Sequence, residues 1–198
     1  MSPFPTSKRI KVAVIVVDLP NMNSRLRELV GVEDQLSSDQ LIHYDVLKEY
    51  FESMFDAEAE VNAAAFMNVS RNQWGGALNW SKSSMKSAGW EVFVRPRVGN
   101  SDVDEAMIAH IQGITKNPAK DVVMVAVVSH DVRRFGNLLT QLASSGVRAA
   151  YLAFSELLSP WPTGAVEVID LRDIAGITDR PLPDRLRYEN IPAEGMYL

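Results

Sequence analysis

Three separate apolar stretches of this chain end on aspartate. Asp18 follows Val12-Ala13-Val14-Ile15-Val16-Val17, the pair Asp102 and Asp104 follows Val92-Phe93-Val94, and Asp131 follows the run from Val122 to Val128. Continuous apolar runs read as strands of a parallel sheet covered on both faces, and open α/β sheets place their ligands at the carboxyl ends of such strands. Carboxylates that emerge together at one sheet edge make a site for a hard cation. A strand-end aspartate is also an ordinary helix or turn cap, which accounts for Asp18 or Asp131 taken singly and for one of the Asp102 and Asp104 pair. Joint occurrence after three strands favours the chemical reading.

The elements that would position these residues alternate along the chain. Strands are expected at Lys11–Val17, Val61–Met67, Trp90–Val94, Val122–Val128, Ala149–Phe154 and Val166–Ile169. The fourth, the most hydrophobic, is expected to be central. Leu41, Tyr44, Leu47, Phe51, Met54 and Phe55 recur at three-to-four spacing and predict one helix. Residues Asn21 to Gln40 before it read as a polar stretch. A further segment runs from Gln73 to Ala88, closed by Gly89 as a C-cap. Met107, Ile108, Ile111 and Ile114 mark a helix with acidic residues at its start, and Phe135, Leu138, Leu139 and Leu142 mark one ending at Gly146. Such alternation implies right-handed crossovers, a mostly parallel central sheet and helices on both faces: an α/β, Rossmann-like three-layer sandwich.

Composition bounds the function. With 198 residues and 46% hydrophobic residues, the chain can bury one good-sized core. Residues 10–177 are expected to form a single domain, with an N-terminal extension at 1–9 and a proline- and charge-rich tail at 178–198 that reads as an arm or partner-contacting strip. There is no cysteine, so disulfides, thiolate catalysis, zinc ribbons and iron–sulfur ligation are excluded. A net charge of −5 argues against a polybasic nucleic-acid binder, though not against a nuclease whose rim is locally basic. The apolar run after the basic N-terminal residues is too short for a signal sequence or a membrane span, so a soluble, cytoplasmic protein with no membrane partner is expected. Glycine is absent from the Asp18-Leu19-Pro20-Asn21-Met22 turn, which excludes a dinucleotide fingerprint there, and no P-loop lysine motif is present.

Val14-Ile15-Val16-Val17-Asp18-Leu19-Pro20-Asn21 resembles the opening of NYN domains, the PIN-like ribonuclease group that includes the LabA-like proteins, in which a hydrophobic strand ends in Asp-x-x-Asn. The resemblance continues through Arg97-Val98-Gly99-Asn100-Ser101-Asp102-Val103-Asp104-Glu105-Ala106-Met107, similar to that family's acidic turn after the third strand. It returns at Val125-Ala126-Val127-Val128-Ser129-His130-Asp131, similar to the family's Ser-Gly-Asp element, and runs on to Val168-Ile169-Asp170-Leu171. The motifs are short; their order and spacing over residues 10 to 175 carry the match. Where the family follows Ser-Gly-Asp with a small residue, a second Asp and Phe, this chain reads Val132-Arg133-Arg134-Phe135, with arginine in place of the second carboxylate. The later Asp of the preceding helix and a lysine before the acidic turn are missing too. Those departures imply a weaker metal site, or one ion in place of two.

The resemblance implies a PIN-like fold and a metal-dependent endoribonuclease that hydrolyses RNA phosphodiester bonds. Asp18, Asp104 and Asp131 are the expected ligands of Mg2+ or Mn2+, with Asp102 an alternative to Asp104. Asn21 would orient a phosphate or a ligating water, and Ser129 would do the same through its hydroxyl. Arg133, Arg134 and Arg97 would position substrate phosphates, and His130 would protonate a leaving group, although a residue next to Asp131 tends to point away from it. RNA, single-stranded or structured, is the expected partner, and self-association is permitted. The alternative is a weakened or inactive domain of the same fold that binds nucleic acid or a protein. A haloacid dehalogenase-type phosphohydrolase would need a second Asp where Pro20 stands.

Overall fold

The computed structural model describes residues 9–33, 35–55, 59–69, 83–97 and 103–184. Six strands form one sheet: β1 (Ile10–Asp18), β2 (Ala59–Val69), β3 (Glu91–Pro96), β4 (Lys120–Val128), β5 (Arg148–Ala153) and β6 (Glu167–Asp170). Their order is β3-β2-β1-β4-β5-β6, and every neighbouring pair is parallel. The four α-helices used below are α1 (Leu19–Val30), α2 (Tyr44–Glu52), α3 (Asp104–Thr115) and α4 (Val132–Ser144).

Alternation along β1 explains why its apolar run is unbroken. Ala13, Ile15 and Val17 face one core with Met22 and Leu26 of α1 and Leu47 and Phe51 of α2. Val12, Val14 and Val16 face another with Met107 and Ile111 of α3 and Phe135 and Leu139 of α4. A strand covered on both sides has no position where a polar side chain is cheap, so every site up to Asp18 is apolar. The architecture is therefore the expected α/β three-layer sandwich, with a sheet that is parallel throughout.

The polar stretch from Asn21 corrects to a helix. α1 fully buries Leu19, Met22 and Leu26, with Leu29 and Val30 partly buried on the same core, while asparagine, serine and charged residues fill most of its other positions. Its signals lie at the ends: Asp18 as N-cap, Pro20 in the first turn, and Gly31 in the left-handed region with φ 70°. α2 is shorter than the periodicity suggests, since Ser53 to Phe55 leave the helix as a turn. α4 begins earlier than its apolar stripe, because Asp131 caps it at Val132. Residues 83–87 are helical and Gly89 has φ 81°, in line with the C-cap reading. The tail differs in its first part: the Arg180 amide donates to the Asp39 carbonyl at 2.8 Å, and Leu182 packs on the α1/α2 core. The rest of that tail and residues 70–82 lie outside the described residues.

The order of the sheet decides where a ligand would go. From β1 the chain moves outward to β2 and β3, then returns to lay β4 on the other side of β1. The carboxyl ends of β1 and β4 therefore flank the point where the winding reverses, the usual crevice of such sheets. α3 packs over both strands and against α4. Phe135, fully buried on α4, holds that helix to the sheet. Phe135→Ala should cost about 3–5 kcal/mol, read as a lowered urea midpoint at unchanged slope.

Candidate functional site

Asp18 ends β1 at the crevice, and Val17 lies beside Val128 in the β1–β4 register, which sets Ser129 next to Asp18. The alternation that turns Val14 and Val16 toward α3 and α4 turns Asp18 the same way, and Val125, Val127 and Ser129 follow suit on β4. Asp18 and Ser129 are 3% and 0% exposed. The Asn21 amide donates to Asp18 Oδ1 at 3.0 Å, which closes the first turn of α1. Ser129 Oγ donates to Asp18 Oδ2 at 3.5 Å and accepts the Asp131 amide at 3.2 Å. Asp131 Oδ1 accepts the Arg134 amide at 3.1 Å, capping α4. Arg134 Nε in turn stands 3.6 Å from Asp104 Oδ2.

A single chain of contacts therefore runs Asp18, Ser129, Asp131, Arg134, Asp104. It gathers all three predicted aspartates at the carboxyl edge. It does not make a cage of them: among the described residues, no three His, Asp or Glu side chains are grouped to hold a metal ion. Asp102 lies outside the described residues. Asp104 is as buried as Asp18, at 3% exposure, whereas Arg133 and Arg134 are exposed. Arg97 is exposed too, at the end of edge strand β3. One strand, β2, lies between β3 and β1, so two inter-strand spacings, about 10 Å, separate it sideways from Asp18, and it belongs to a rim and not to the notch.

His130 faces away from the carboxylates. One residue beyond Ser129, it projects to the α1/α2 side of the sheet, where its ring stacks on Phe154. The Phe154 amide donates to Nε2 at 3.0 Å, so the ring proton sits on Nδ1, 3.2 Å from Asn21 Oδ1. That same Asn21 oxygen accepts the His130 amide at 2.9 Å. Asn21 thus spends its carbonyl on tying the β1–α1 turn to the β4–α4 turn. Burial, with the charge of Arg25 second, pushes the His130 pKa down to about 4. A neutral ring with both nitrogens engaged is a brace for three loops, not a proton donor to a leaving group.

Two further groups near this edge escaped sequence reasoning. Tyr44, at the start of α2, has a buried hydroxyl whose pKa is raised, first by burial and then by the charge of Asp18. Its Oη has no hydrogen-bond partner among the described residues. The phenol therefore stays protonated as a donor beside the site; only its place at a helix start near the edge hinted at it. Asp170, buried at the end of β6, accepts from Ser155 Oγ and from the Arg172 amide, and caps its own turn. His110 is satisfied in the sheet–helix contact, with Nε2 2.9 Å from Asn62 Oδ1 and its ring against Phe66 and Phe93. Trp90 is core, its indole donating to the Tyr44 carbonyl at 2.9 Å. Trp74 and Trp80 lie outside the described residues. A groove of about 390 Å³ between Val30, Val32 and Arg180 to Pro183 sits at the far end of α1 and carries none of the chemistry.

Neither a family model nor a curated protein matches the chain. Among solved structures it is similar to the crystal structure of a protein of unknown function from Vibrio parahaemolyticus. The two share 19% sequence identity over 86% of this chain and 98% of that one, with a TM-score of 0.61. At that identity the likeness bears on the fold alone, and it agrees with the α/β sandwich above. No helix among the described residues is long and apolar enough to cross a membrane.

The His130 brace has a measurable signature. An imidazole whose folded pKa is about 4 against 6.5 unfolded contributes stability that is complete above pH 6.5. Below that, the unfolded chain takes up a proton that the folded chain does not, so stability falls until pH reaches about 4. The loss should level off near 3 kcal/mol by the ~1.4 kcal/mol worth of each pKa unit. Urea melts across this range should show that slope, and His130→Gln should flatten it.

Proposed function

We propose that this chain is a divalent-metal-dependent endoribonuclease working at the carboxyl edge of β1 and β4. The observation that supports the reading is the contact chain from Asp18 through Ser129, Asp131 and Arg134 to Asp104 at the sheet's switch point. Its donors are all oxygen, the chemistry that suits Mg2+ or Mn2+, and such ions are commonly held by one or two carboxylates with waters completing the shell. Asp18 and Asp104, the buried pair, are the residues that would hold the ion, with Asp131 at the rim. When bound, the ion would supply an activated water and neutralise charge on the phosphoryl group.

The chain's own residues have distinct tasks in this reading. Asp18 keeps its orientation because the Asn21 amide and the Ser129 hydroxyl fix its two oxygens. Asn21 and His130 hold the two turns at a constant separation. Arg133 and Arg134 offer exposed guanidinium groups where phosphates would arrive, and Arg97 extends that rim toward β3. Exposed arginines beside a buried carboxylate pair suit a long polymeric phosphate substrate, whose backbone can run along the rim. RNA is the polymer indicated by the NYN resemblance.

A second reading has its own support. Asp131 is engaged as a helix cap and Asp104 lies beside Arg134, so the same edge suits a metal-independent module that binds nucleic acid or a protein.

Cleavage of a labelled RNA with Mg2+ or Mn2+ separates the two. Asp18→Asn keeps an oxygen for the Asn21 amide while removing the charge. It should therefore leave the melting temperature within a few degrees and lower the cleavage rate by about 100-fold or more, since a metal contact supplies several kcal/mol to the transition state. Intact RNA with both metals at high enzyme concentration, together with RNA binding that survives Asp18→Asn, would select the binding module.

A further inference from the structure

We infer that Arg134 is a built-in counter-ion that competes with a divalent cation for Asp104. The inference rests on the metal reading above and adds to it the residue that sets how strongly, and when, an ion is held. Three observations carry it. Arg134 Nε lies 3.6 Å from Asp104 Oδ2. The partners are unequal, the aspartate side chain being 4% exposed and the arginine 65%. Finally, the Arg134 backbone is pinned by the hydrogen bond its amide donates to Asp131 Oδ1, so the guanidinium can leave while α4 stays in place.

The physical consequence follows from charge and solvation. A buried carboxylate gains most from a nearby cation, and the field there is weakly screened by water. Either a guanidinium or a divalent ion can supply that charge. Both cannot sit against the same oxygens without repelling each other. The arginine is the partner that can move, because its long side chain is mostly in water and its release into solvent costs little desolvation. Cation binding at Asp104 therefore requires Arg134 to swing outward, and the work of breaking the pair weakens the affinity of the ion. In the swung-out position the same guanidinium points toward the exposed rim.

Isothermal titration of Mn2+ into the full chain tests this, with Mn2+-induced shifts in melting temperature as an independent readout. Arg134→Gln should bind Mn2+ about tenfold tighter than the unsubstituted chain and show the larger melting shift. Arg134→Lys, which keeps the charge, should stay close to the original affinity. The double variant Arg134→Gln with Asp104→Asn should lose the gain. Equal or weaker Mn2+ binding by Arg134→Gln, with binding still abolished by Asp18→Asn, would overturn the counter-ion role while leaving the metal site standing. Absence of Mn2+ binding at millimolar concentration in both the original chain and Arg134→Gln would overturn both. Because Arg134→Gln leaves the buried Asp104 without that charge, the metal-free chain should melt lower, and an unchanged metal-free melting temperature would itself argue against the counter-ion role.

Discussion

The parallel pairing of β1 with β4 is the constraint on which everything else rests. Among the described residues, those two strands are the neighbours that lie at the reversal of the winding, and they bring Asp18 level with Ser129. Each strand is buried on both faces, so their register is held by two cores at once, and a slip by one residue would exchange the residues of the two cores. It would also turn Asp18 toward α1 and α2, away from α3, α4 and Asp104. The cross-links above the strands, from Ser129 to Asp18 and from His130 to Asn21, are made only in the native register.

Capping and ligation are often treated as rival explanations for a strand-end aspartate, and at this edge they are compatible. An ionised carboxylate has about four acceptor positions on two oxygens. Asp18 uses one to start α1 and another to receive Ser129. Capping fixes the rotamer, and a fixed rotamer is what a site for a hard ion requires of its ligands. The same holds for Asp131, whose cap sets the direction in which α4 leaves the sheet and so where Arg134 stands. The electrostatics of the edge then depend on two buried carboxylates and an exposed guanidinium, not on the chain's overall negative charge.

Much of this was legible in the sequence because strands buried on both sides write themselves as apolar runs. All six strands fall where such runs occur, and the aspartates after the first and fourth lie at the crevice as their positions implied. α1 was obscured, although Leu19, Met22, Leu26, Leu29 and Val30 recur at helical spacing, because the polar and charged residues between them dominate the stretch; Asp18, Pro20 and Gly31 mark its ends. His130 shows a different limit. Its neighbours in sequence are both at the site, and the expectation that a residue next to Asp131 points away from it holds, but the Phe154 and Asn21 partners on the opposite face were not legible. The closeness of Arg134 to Asp104 was not legible at all, since it depends on the packing of α3 against α4. Tyr44 likewise depends on how α2 lies over the first core.

The reversal of winding at β1 also bears on how the molecule reaches its folded state. Ser129 and Asp18 are 111 residues apart in the chain, and His130 and Asn21 are 109 apart. No local hairpin can prepare that contact, so β1 must wait for β4 while β2, β3 and α3 are made between them. Pairings at such long range slow folding and leave the first strand's edge exposed to other chains in the meantime. The edge that gathers the aspartates is therefore also the seam that closes late, and a polypeptide still emerging from synthesis has none of it until residue 131 is free to fold.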